Sequence, residues 1–214
     1  MKKILIGFVL VGFLIFSQYW ALFIAPPERM MGDVYRILFV HVPSAWMAML
    51  FFFLSFVGSI LFLVRRQLRW DRLAHSAAEI GVVMTGLALA LGSTWAKPTW
   101  GVWWTWDPRL TTTALLFVMY LGYLMLRGTL EDPERRAKVA ASVGLLIFLN
   151  VPIVYLSVKW WRSLHQVQSS PSTMAPIMVT ALRLNAFALL GILLFLLYFR
   201  IKLAKEETRL EEET

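Results

Sequence analysis

The sequence predicts an all-α membrane protein, with six transmembrane helices in one bundle, both termini cytoplasmic and a tryptophan-rich outer loop. Composition is the first reason: 59% of the 214 residues are hydrophobic and 16% charged, where a soluble domain carries roughly 25% charged residues. The second is distribution. The apolar residues fall in runs approaching the ~20 residues that a helix needs to cross a bilayer. Six runs stand out, at about 4–24, 44–64, 77–95, 111–126, 139–158 and 181–200. The loops between them are short and no internal repeat is visible, so residues 1–214 read as a single domain.

The first run follows Met1-Lys2-Lys3 and resembles a signal peptide. Its apolar stretch exceeds the ~7–15 residues of a typical signal core, and Ala25 leads into Pro26-Pro27 with no small-x-small cleavage pattern, so an uncleaved anchor is expected. The second run is preceded by VHVPSAW at 40–46. The fourth is short and is expected to extend outward, where Asp107-Pro108 has the form of an N-cap followed by proline at the first helical position. In the fifth, Asn150 and Pro152 suggest a kink with a polar side chain serving freed backbone groups. In the sixth, Asn185 suits an interhelical hydrogen bond. The charged tail 203–214 is expected to prolong that helix into solvent.

Orientation follows from lysine and arginine, which concentrate in cytoplasmic loops. Of the 21 in the chain, fourteen lie on one side: Lys2, Lys3, Arg65, Arg66, Arg69, Arg72, Arg127, Arg135, Arg136, Lys138, Arg200, Lys202, Lys205 and Arg209. Only Arg29, Arg36, Lys97, Arg109, Lys159, Arg162 and Arg183 lie on the other. The net charge of +8 is thus a topology signal and no sign of nucleic-acid binding. The inner cluster RRQLRWDR is expected to meet anionic lipid in the bilayer. There is no cysteine, which excludes disulfides, thiolate metal sites, thiol redox chemistry and the C-x-x-C-H signature of covalent haem attachment. No G-x-x-x-x-G-K-[ST] phosphate loop is present.

The outer loops, about 25–43, 96–110 and 159–180, hold the chemistry. Nine of the ten tryptophans, Trp20, Trp46, Trp95, Trp100, Trp103, Trp104, Trp106, Trp160 and Trp161, fall at the outer face, with Trp70 alone inside. An interfacial belt would enrich both faces. Four tryptophans crowd into WGVWWTWDPRLT at 100–111. If that stretch were helical, Trp100, Trp103, Trp104 and Asp107 would share a face; Gly101 and Pro108 argue against a regular helix. Clustered indoles offer an apolar wall with N–H donors at its edge, suited to a broad planar ligand. They also suit a simple anchor in the lipid headgroups.

His41 and His165 lie on the tryptophan side, and His75 lies inside, read as a solvated loop residue. Two imidazoles facing one ligand can fill both axial positions of a haem iron. Each alone reads equally as an interfacial histidine. Arg36, Lys97, Arg109, Arg162 and Arg183 are candidates for haem carboxylates through charge-assisted hydrogen bonds. Arg109 and Arg183 can instead snorkel to the surface, and Asp107 can serve as cap rather than ligand contact.

WGVWWTWDPRLT resembles the tryptophan-rich WWD signature of haem-handling proteins in cytochrome c biogenesis, through Trp100, Gly101, Trp103, Trp104, Trp106, Asp107, Arg109, Leu110 and Thr111. Together with VHVPSAW, His165 before the last span, and six spans in about 200 residues, the whole chain resembles the haem exporter protein C family. The resemblance implies a non-enzymatic protein of the bacterial inner membrane that binds haem b transiently and non-covalently at the periplasmic face. It implies His41 and His165 as axial ligands and the WWD surface as the haem seat. It further implies delivery to a periplasmic membrane-anchored haem chaperone, alongside an ABC-type ATPase with its membrane subunit and a small single-span membrane protein. Pro108 between Asp107 and Arg109 is a departure that favours Asp107 as a cap. Three other readings stand beside this one: a permease subunit, for which the spans offer few polar residues (Thr85, Asn150, Asn185); an interaction scaffold whose tryptophan loop docks a partner, which would not need both histidines; and a bis-histidine redox enzyme.

Overall fold

The computed structural model describes residues 1–165 and 174–213. The chain runs as α1 (Lys2–Tyr19), a π-helical turn (Trp20–Ile24), a 3-10 turn (Asp33–Ile37), α2 (Leu38–Arg65), α3 (Leu68–Trp100), α4 (Pro108–Gly128), α5 (Pro133–Phe148), α6 (Asn150–Trp160) and α7 (Pro176–Glu213). With α5 and α6 joined in one crossing, six helical stretches are long and apolar enough to span a membrane. This is the all-helical six-span architecture read from the hydropathy pattern.

The helices overshoot the apolar runs at several ends, because hydropathy marks the lipid-facing part while backbone hydrogen bonding continues until a residue stops it. The third run was expected over 77–95, yet α3 starts at Leu68, straight after Arg66 turns the chain in a left-handed conformation at φ 53°. It ends only at Gly101, whose φ of 78° favours glycine and whose N–H closes on the Lys97 carbonyl at 3.0 Å. The 3-10 turn feeds directly into α2, so His41 sits within the first turns of that helix and not in the loop before it. At the far end, α7 continues as helix to Glu213.

The centre of the bundle is the α2–α3 pair. Its approach is close because glycine stands where a Cβ would collide: one at Gly58 would lie 2.9 Å from the Ala74 backbone nitrogen, and one at Gly81 2.5 Å from the Phe52 ring. Phe52 stacks on Tyr120 of α4 at 3.8 Å, and Phe51, Ala77, Ala78 and Tyr123 complete the surrounding core.

Polar side chains join helices where the spans allow few of them. Asn185 of α7 donates to the Ser17 carbonyl of α1 at 3.2 Å and accepts from Ser17 Oγ and Gln18, which is the interhelical role expected of it. Asn150 departs from expectation. The helix does break at Leu149, one residue earlier, and Pro152 has no N–H for the Phe148 carbonyl. The Asn150 side chain, however, donates across to Thr112 of α4 at 3.0 Å and not to a carbonyl freed in its own helix.

The end of the bundle that carries His75, Asp71 and Arg200 also differs from its sequence reading. His75 is part of α3, half-buried, with Nε2 3.4 Å from Glu79, because the helix extends through the segment read as a loop. Asp71, within the cluster assigned to lipid contact, turns inward and takes both Nη atoms of Arg127 at 2.7 Å, with each residue under 10% exposed. Glu79 pairs with Arg200 at 2.6 Å.

Candidate functional site

At the opposite end, a cavity of about 250 Å³ lies between α2, α3, α4, α6, α7 and the tryptophan loop. Its wall is mostly apolar, with Phe39, Val42, Leu89, Leu110, Leu116 and Val154 among the lining residues. His41 and His165, 124 positions apart in sequence, both face it. Trp46, Trp95 and Trp104 bring indoles to the wall, beside Tyr35, Phe39 and Tyr155, and Arg109 is its only lysine or arginine among the described residues.

His41 is placed by α2 and oriented by α3. Its Nδ1 lies 2.9 Å from the Ala88 carbonyl, an acceptor only, so Nδ1 carries the proton and Nε2 keeps its lone pair. Gly92, one turn further along α3, makes room for the ring: a Cβ there would come within 3.0 Å of His41 Cε1. Ala88 and Gly92 are the missed members of the site. Their i, i+4 spacing puts both on one face of α3, but small residues are common in membrane helices and nothing in the sequence ties them to His41.

His165 is held from the WWD loop. The Asp107 carboxylate caps α4 by accepting from Arg109 N at 2.9 Å. The same carboxylate accepts Ser163 Oγ at 3.0 Å and the Leu164 N–H at 2.6 Å, and Ser163 Oγ accepts the His165 N–H at 3.0 Å. Trp100 meets the His165 ring edge-on, with centroids 5.4 Å apart, and Trp95 backs Trp100 at 5.4 Å. Burial and then the nearby Arg109 charge pull the His165 imidazole down to about 4, against the opposing effect of Asp107. The ring is therefore neutral at physiological pH and available as a ligand. The rest of that loop, 166–173, lies outside the described residues.

The four tryptophans of the motif do not form one wall. The helix stops at Trp100 and residues 101–107 are not helical, so no common face exists. Trp104 turns to the cavity and Trp100 supports His165. Trp103 and Trp106 point out, at 57% and 82% exposed. The cations also separate. Arg109 borders the cavity. Arg36 spends Nη1 on the Ala21 and Ala25 carbonyls and Nε on Asp33, tying down the end of the first span. Lys97 closes the α3 terminus on the Gly101 carbonyl at 3.0 Å. Arg162 and Arg183 are exposed, and neither is a lining residue.

Two buried nitrogens of lining residues have no hydrogen-bond partner among the described residues: Trp95 Nε1 and His165 Nδ1. Unpaired buried polar groups are uncommon in folded proteins. With two histidine rings, an apolar wall and one cation, they suit a flat, largely apolar guest that carries a metal and anionic groups.

The sequence model of the heme exporter protein C family matches residues 2–214. Heme exporter protein C of Bradyrhizobium diazoefficiens is 38% identical over 195 residues, covering 87% of this chain and 73% of that protein. The protein of the same name from Haemophilus influenzae is 36% identical over 197 residues, 89% of this chain and 80% of its own. A ccmC-like mitochondrial protein of cytochrome c biosynthesis from Marchantia polymorpha is 38% identical over 165 residues, 75% and 70% respectively.

Proposed function

The chain belongs to the heme exporter protein C family, and from that premise we propose that it is a haem-handling membrane protein of cytochrome c biogenesis whose cargo sits between His41 and His165. One observation carries this reading: two histidines from distant segments border a single cavity together with Trp104 and Arg109. The cargo is haem b, held non-covalently and transiently. Iron supplies two axial positions, which His41 and His165 take up. Trp104 and Trp95 give the macrocycle an apolar face, and Arg109 meets a carboxylate. Trp100 and Asp107 act by holding His165. Arg36 and Arg183 stand outside the cavity lining, and a contact from either with a haem carboxylate requires the cargo to project beyond it.

The topology reading puts the cavity at the periplasmic face of the bacterial inner membrane. The exposed Trp103 and Trp106 beside the site suit docking of a periplasmic membrane-anchored haem chaperone, the acceptor of the cargo. An ABC-type ATPase with its membrane subunit and a small single-span membrane protein complete the assembly. The chain itself is a carrier without catalytic chemistry.

The test is an absorption spectrum of detergent-purified protein supplied with haem, for wild type, His41→Ala and His165→Ala. A low-spin six-coordinate spectrum in the wild type, lost in each variant, is expected. A wild type that takes up no haem leaves a scaffold role instead, and spectra unchanged in both variants require a different axial pair.

A further inference from the structure

Resting on that reading, a deeper one concerns how the two histidines differ. His165 Nδ1 is buried and has no hydrogen-bond partner among the described residues. Asp107 Oδ1 lies 3.9 Å from it, beyond hydrogen-bonding range. A carboxylate offers about four lone-pair positions. Arg109 N, Ser163 Oγ and Leu164 N occupy three on Asp107. The side chain is 2% exposed, so water has little access to the fourth. Arg109 N and Ser163 Oγ share Oδ1 and Leu164 N takes Oδ2, so the spare position lies on Oδ2 of a buried carboxylate whose Oδ1 stands 3.9 Å from a buried ring nitrogen with no partner among the described residues. His41 differs. Its Nδ1 is already bonded, at 2.9 Å, to the neutral amide carbonyl of Ala88.

We propose that Asp107 is the hydrogen-bond partner of the His165 imidazole, accepting its Nδ1–H when Nε2 binds haem iron, so that His165 is the stronger axial donor and His41 the ligand that yields first. A charged acceptor makes a hydrogen bond roughly twice as strong as a neutral one. A carboxylate behind a ligating histidine raises the basicity of its other nitrogen. Ferric iron gains more from that extra donation than ferrous iron. The pair therefore biases bound haem toward the ferric state, and the bond to His41 is the weaker of the two when cargo leaves. Asp107 is here a positioning residue that acts through His165.

The experiment uses the full chain in detergent loaded with ferric protoporphyrin IX. The midpoint potential is read by spectroelectrochemical titration in wild type and Asp107→Asn. Asparagine keeps the helix cap and one acceptor oxygen while removing the charge. The expected result is a retained low-spin spectrum and at least a tenfold loss of ferric over ferrous preference, a rise of about 59 mV for a one-electron couple. A cap-only role leaves the potential unmoved, and that result overturns the proposal. A second comparison does not depend on the Asn variant folding. His41→Gly and His165→Gly are each loaded in the presence of free imidazole. His41→Gly, which keeps His165, is expected to hold ferric haem at least tenfold more tightly; equal or reversed affinities overturn the proposal. A low-spin wild type with equivalent ligands removes this inference alone, whereas a wild type that binds no haem removes the function it rests on.

Discussion

Asp107 Oδ2 accepts the backbone N–H of Leu164 at 2.6 Å, a bond across 57 positions of sequence. It fastens the loop before α7 to the start of α4, and through Ser163 it fixes the segment that carries His165. The aspartate of the tryptophan-rich motif thus serves two backbone segments at once.

Replacing it by alanine removes a helix cap and leaves buried donors unmatched. Asp107→Ala is expected to cost about 2 kcal/mol. Ser163→Ala, which loses a single hydroxyl from the same cluster, is expected to cost about 1 kcal/mol. Thermal unfolding of both variants in one detergent checks this; a wild-type melting temperature in Asp107→Ala would show that the carboxylate is not the clamp.

Gly92 separates fold from site. An alanine in a helix interior is favoured over glycine by about 1 kcal/mol, so Gly92→Ala should not weaken α3 itself. Its Cβ would press on His41 Cε1 at 3.0 Å. Under the proposed function, thermal stability is expected to stay at or above wild type while haem uptake falls about tenfold, the loss of roughly 1.4 kcal/mol of binding. Unimpaired uptake would mean that the His41 ring shifts without losing its ligand position.

The tryptophans of the motif are expected to be unequal. Trp104 lines the cavity and Trp106 is 82% exposed. Burying an aromatic face is worth about 1.5–3 kcal/mol, so Trp104→Ala should weaken haem binding about tenfold or more. Trp106→Ala should leave haem affinity unchanged. Absorbance titrations with haem distinguish them, and equal losses would argue for a haem seat outside the cavity.

At the end of the bundle away from the cavity, Asp71→Ala strands the buried Arg127 guanidinium. Breaking a buried pair by removing one partner costs about 3–5 kcal/mol. Asp71 and Gly92 are 21 residues apart on α3, a distance of about 30 Å along a helix. A large drop in melting temperature is expected, with an unchanged haem spectrum in the fraction that remains folded. A perturbed spectrum there would reveal coupling between the two ends.

The six crossings, the one-sided tryptophans, the cap at Asp107 and the interhelical role of Asn185 were all legible in the sequence. Each follows from local chemistry: apolar transfer energy along a run, an Asp-Pro pair at a helix start, an amide within a span. Other features depend on how each helix is turned about its own axis, and close packing at Gly58, Gly81 and Gly92 sets that rotation. The rotation of α3 brings the Ala88 carbonyl to His41 and turns Asp71 from the lipid toward Arg127. The end of that helix at Gly101 breaks the tryptophan face that a continuous helix would have made, and Trp104 turns inward while Trp106 stays out. Hydropathy fixes depth in the bilayer but is nearly blind to azimuth, so the sequence by itself determined which residues share an end of the molecule. Only the tertiary structure decided which of them face one another.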